Sequence, residues 1–74
     1  MAHFMKWGDM TSRSIYKMVK ARGRFKGELS DRPGDIYALD GKAYLVREDT
    51  GRSFMIGDWF EFLSLFALTF NPSE

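Results

Sequence analysis

General acid–base catalysis near neutral pH most often relies on histidine, and this chain has one, His3. It stands in residues 1–10, a stretch expected to be irregular and flexible. No other residue stands at a spacing that would pair with it as nucleophile and base. Asp58 and Glu61 come closest to a carboxylate pair. Asp-x-x-Glu is also a helix-capping pattern, with Asp in the place of Ser or Thr, and capping accounts for both residues. Asp35, Asp40, Asp49 and Asp58 lack metal-loop spacing, and turn roles account for most of them. The seven glycines are scattered and form no phosphate-cradling loop. The expectation is a non-enzyme with no catalytic residue, no cofactor and no metal.

Binding chemistry is written more clearly. Residues 1–26 hold seven basic residues (Lys6, Arg13, Lys17, Lys20, Arg22, Arg24, Lys26) against one acid, Asp9. Residues 27–74 hold nine acids against four basic residues, Arg32, Lys42, Arg47 and Arg52. The formal total of +1 thus hides two halves of opposite sign. No acid stands between Asp9 and Glu28. An ordinary solvated helix face would intersperse Glu or Asp for i,i+4 pairing. An acid-free basic run is a footprint for phosphates or for an acidic protein surface. Arg13, Lys17, Lys20, Arg22, Arg24 and Lys26 are the expected contacts, with Tyr16 bordering them.

These residues need elements to position them. At 74 residues the chain makes one domain, and its core is marginal. It has no cysteine, which excludes disulfides and thiolate metal sites and suits a reducing cytoplasm. Seven Phe, three Tyr and two Trp supply the bulk for burial. Met5, Met10, Met18 and Met55 are expected as core fillers. The N-terminus has no apolar core or cleavage site of a signal peptide. The apolar run Trp59–Phe70 would span roughly 18 Å as a helix, too short for a ~30 Å hydrocarbon layer. The expectation is a cytoplasmic protein with no membrane partner.

Thr11 reads as the N-cap of a helix running to about Arg22, with Gly23 as a left-handed C-cap. Met10 and Ile15 have hydrophobic-staple spacing. Ile15, Met18, Val19 and the stem of Arg22 form an apolar face. Arg24–Leu29 reads as a short strand, and Ser30–Gly34 as a turn. Asp40-Gly41 between two apolar runs predicts a type I′ hairpin pairing Leu39 with Lys42 and Tyr37 with Tyr44. One hairpin face then carries Ile36, Ala38, Ala43 and Leu45, and the other Tyr37, Leu39, Tyr44 and Val46. Glu48–Gly51 turns into a further strand, Ser53–Ile56. From Asp58 a Phe-rich helix follows, its stripe formed by Trp59, Phe62, Leu63, Phe66 and Phe70, and Pro72 ends it. Phe60, Leu65 and Leu68 spill onto its other faces. The predicted fold is α+β: an antiparallel meander of three or four strands between a basic N-terminal helix and a Phe-rich C-terminal helix.

Two stretches resemble the small winged-helix excisionase and AlpA-type regulators of phages. Thr11–Phe25 resembles their recognition helix with the following Gly-Arg-Phe, and Asp40–Glu48 resembles their wing hairpin. The resemblance covers about a third of the chain. It implies that Ser12, Arg13, Ser14, Tyr16, Lys17 and Lys20 face a major groove or its phosphates, with Lys42 at the wing. The implied function is a phage-encoded regulator of transcription or DNA transactions. Two other readings stand beside it. In one, an inhibitor binds a host complex such as RNA polymerase, with an acidic Asp31–Glu61 surface mimicking nucleic acid. In the other, a structural module dimerises through Trp59–Phe70.

Overall fold

A computed structural model describes residues 11–73. The expected roles of His3, Lys6 and Met5, and the staple through Met10, lie outside the described residues. Seven elements follow in order: α1 (Ser12–Arg22), β1 (Arg24–Leu29), β2 (Asp35–Leu39), β3 (Lys42–Arg47), β4 (Arg52–Asp58), α2 (Trp59–Leu65) and β5 (Phe70–Pro72). The fold is α+β, as the patterning predicts, with one antiparallel sheet in the order β4-β3-β2-β1-β5.

The hairpin has the predicted register, with Leu39 opposite Lys42 and Tyr37 opposite Tyr44. Asp40 and Gly41 both take positive φ, 52° and 77°, as a primed two-residue turn requires. The period-2 alternation then divides the sheet's side chains between two helices. Leu39, Tyr44 and Val46 pack with Val19 of α1, flanked by Ile15, Tyr16, Met18 and Tyr37. Leu29, Ile36 and Ala43 pack with Phe62 of α2, flanked by Trp59, Leu63, Phe66 and Phe70. The sheet is therefore covered on both faces, one helix to each.

Thr11 caps α1 as predicted, its hydroxyl accepting from the Ser14 N–H at 3.1 Å. Gly23 differs from expectation: it is extended, at φ −85°, and not left-handed. The reason for glycine there is crowding. A Cβ on Gly23 would sit 2.8 Å from the Val19 carbonyl oxygen and 3.1 Å from that of Ala38. The chain leaves α1 so close to the sheet that no side chain fits.

The larger correction concerns the C-terminal segment. The helix ends at Leu65 and does not continue to Phe70. Residues 66–69 turn, and Phe70–Pro72 forms a fifth strand on the outer edge of β1. Pro72 is thus a strand residue and not a helix stop. An uncovered β1 would leave a row of unpaired backbone groups at the sheet edge, which pairing of Gly27–Leu29 with β5 satisfies. Gly27 makes the approach possible, since a Cβ there would sit 2.2 Å from the Asn71 carbonyl oxygen. Phe70 still reaches the core, edge-on to Phe62 at 5.0 Å. Met55, expected inside, is half exposed on the outer strand β4. Phe60, Leu65 and Leu68 are 78%, 73% and 97% exposed.

Candidate nucleic-acid interface

Arg22, Arg24, Lys26 and Lys42 gather at the end of the sheet that carries the Asp40-Gly41 turn, whereas α1 begins at the other end, where Ser12 accepts from Arg52 beside the β3–β4 turn. Arg13 and Lys17 lie on the outer face of α1, exposed. Arg22 ends that helix. Arg24 begins β1, opposite Ala38, which in turn is opposite Ala43. Lys42 begins β3 immediately after the Asp40-Gly41 turn, so it stands at the same end as Arg24. Lys26 is the extra residue of a β-bulge between Phe25 and Gly27. The bulge carries it to the α2 side, with its Nζ 5.9 Å from the Trp59 ring centroid. Arg13, Lys17, Arg22, Arg24, Lys26 and Lys42 make no ion pair among the described residues.

Two of the expected contacts have another role. Lys20 Nζ lies 2.6 Å from a Glu48 carboxylate oxygen and donates to the Tyr37 hydroxyl at 2.9 Å. The Tyr16 hydroxyl donates to the other Glu48 oxygen at 2.8 Å. Lys20 and Tyr16 therefore fasten α1 to the turn after β3. Hydrogen bonds from Lys20 and then Tyr16 hold the Glu48 carboxyl below its usual range. The Glu48 bond, followed by that to Tyr37, raises the Lys20 ammonium above its own. Tyr16 is likewise raised, chiefly by its bond to Glu48. Ser12 and Ser14 are engaged too: Ser12 Oγ accepts from Arg52 at 2.9 Å, and Ser14 Oγ accepts from Thr11 at 3.2 Å.

The opposite end of the sheet mixes acids with Arg47 and Arg52. Glu28 lies across from Asp35. Burial, then the charges of Glu48 and Glu28, push the Asp35 carboxyl up. Several neighbouring acids already hold cations. Asp31 pairs with Arg32 at 3.1 Å and Asp49 with Arg47 at 2.7 Å. At the other end, opposite Lys42, Asp58 caps α2, accepting from the Phe60 N–H at 3.1 Å.

Sequence reasoning missed the open groove of about 430 Å³ beside the basic end. Phe25, Lys26, Trp59, Phe70, Pro72 and Ser73 line it. These residues come from both ends of the described chain, so no local spacing announces them. Among the described residues no helix is long and apolar enough to cross a membrane. Comparison with protein-family models, curated proteins and solved structures found no match.

Proposed function

We propose that this chain is a small non-enzymatic regulator of transcription or DNA transactions, acting in the cytoplasm by binding nucleic acid. One observation carries the reading. Arg13, Lys17, Arg22, Arg24 and Lys26 stay exposed and unpaired among the described residues, while Glu48, Asp31 and Asp49 hold cations of their own. A cationic surface left without internal partners is suited to phosphates. The resemblance to phage excisionase and AlpA-type regulators supports the same reading. The two stretches that carry it, Thr11–Phe25 and Asp40–Glu48, span α1 with the start of β1, and the β2–β3 turn with β3.

The test is binding of labelled duplex and single-stranded oligonucleotides across a salt series. Parent affinity should fall steeply with salt. Each phosphate contact removed should lower the slope by about 0.9 on duplex DNA. Arg13→Ala, Lys17→Ala and Arg24→Ala combined should weaken binding and flatten the slope without unfolding the domain. An unchanged slope in that variant would remove the basic surface from the function.

A homodimer through Trp59–Phe70 draws on exposed Phe60, Leu65 and Leu68. Another reading, an inhibitor docking on a host transcription complex, draws on the acidic Asp31–Glu61 surface, where Glu48 and Asp49 are exposed. It predicts no nucleic-acid binding by the isolated protein.

A further inference from the structure

The groove lies where β5 stops. β5 pairs with β1 only from Gly27 to Leu29, and the Ser73 N–H reaches the Lys26 carbonyl at 2.8 Å. Beyond that point Arg24 and Phe25 stand at the sheet edge. The groove opens there between the two faces of the sheet. Phe25 stands beside Tyr37 on the α1 side, edge-on at 5.7 Å and 71°. On the α2 side, Trp59 is held by Phe62 at 5.3 Å and edge-on by Phe70 at 6.0 Å.

Three properties make this a site and not a gap in packing. Its aromatic walls are fixed by neighbouring rings, so a planar ligand meets surfaces that are already ordered. Phe25 is nevertheless 46% exposed, so a large ring is left open to contact. Among the described residues the charge on the wall has one sign: Lys26 lines the groove, no carboxylate does, and Arg22 and Arg24 precede it along the chain. A planar, anionic ligand complements these walls. Rigid aromatics combined with a cationic track are the general means of holding single-stranded nucleic acid.

We infer that this groove stacks an unpaired base of single-stranded nucleic acid, with Phe25 and Trp59 as platforms and Lys26 and Arg24 on the flanking phosphates. This rests on the nucleic-acid reading and deepens it. Phosphates of either duplex or single strands can follow α1. Only an unstacked base can enter the groove. The protein therefore discriminates by strandedness at β1 and by charge at α1.

The experiment compares anisotropy of a labelled ten-nucleotide oligo-dT with a duplex of equal length, for the parent and Phe25→Ala. A Trp7→Phe background isolates the emission of Trp59. The expected result is oligo-dT affinity reduced about 5- to 150-fold by Phe25→Ala, with duplex affinity changed less than about twofold. Oligo-dT should quench Trp59 in the parent, and Phe25→Tyr should restore binding. If Phe25→Ala fails to fold, Lys26→Gln and the parent's Trp59 quench decide. Duplex binding with no Trp59 quench, or equal loss on both ligands in a folded variant, overturns the groove and leaves the basic-surface reading standing. Displacement of oligo-dT by poly-glutamate at equal charge concentration also overturns it, since charge alone then accounts for occupancy. No binding of either oligonucleotide at low salt removes both.

Discussion

Lys20 of α1 and Glu48, just past β3, join across a sequence separation of 28 residues with their charged atoms 2.6 Å apart. The contact takes one cation out of the basic run and spends it on holding the helix to the sheet. It splits the run into a residue that builds the fold and neighbours that stay available to a ligand.

Lys17 and Lys20 should therefore respond differently to alanine substitution. Lys17→Ala should lower nucleic-acid affinity and the salt slope with stability unchanged. Lys20→Ala should cost about 0.5 kcal/mol, the modest value of a half-exposed pair. Denaturant unfolding beside a salt titration separates the two effects. An equal loss of affinity from both variants with no loss of stability would contradict the assignment.

Stability should depend on pH through Glu48 and Asp35 in opposite senses. The Glu48 carboxyl lies below its ordinary value, so its contribution is present above the unfolded pKa and lost as pH falls through the folded one. The Asp35 carboxyl lies above its ordinary value, so its protonated form favours the folded chain and stability drops as pH rises through that region. Asp35→Asn should thus stabilise the protein at pH 7 and make no difference near pH 3. Glu48→Gln should destabilise at pH 7 with an effect that also fades in acid. Chemical denaturation at both pH values reads the signs.

Phe62 is fully buried, stacked on Phe66 at 5.1 Å and edge-on to Phe70. Phe62→Ala should cost about 3–5 kcal/mol, a large part of the stability of a domain this size. Phe60→Ala, next but one along α2 and mostly exposed, should stay within about 0.5 kcal/mol of the parent. Thermal melts of the two variants make the comparison.

Gly27→Ala should release β5. The added methyl meets the Asn71 backbone, and the residue holds φ +149°. Amide exchange should quicken at Ser73, whose N–H donates to the Lys26 carbonyl at 2.8 Å, and stay slow in the β2–β3 hairpin. A protected Ser73 amide in that variant would show that the edge tolerates the side chain.

The parts legible in sequence are those governed by near neighbours. Thr11 caps because its hydroxyl reaches the Ser14 amide three residues on. Asp40-Gly41 sets the hairpin because two adjacent residues adopt positive φ, and that register assigns each flanking side chain to a face. The failures are equally physical. Trp59–Phe70 carries a helical stripe, yet its last residues gain more from satisfying the β1 edge, a partner more than forty positions earlier. Gly23 looks like a cap by position, but the Ala38 carbonyl, brought close only by folding, is what demands glycine.

The sequence by itself determined the charge division, the α+β order and the two apolar hairpin faces, because composition, caps and period-2 alternation are local properties. Tertiary structure alone decided which cations remain free, since Glu48 selects Lys20 and leaves Lys17. It also created the groove. Phe25, Lys26, Trp59 and Phe70 become neighbours only when β5 docks beside β1, and no spacing along the chain encodes that distance.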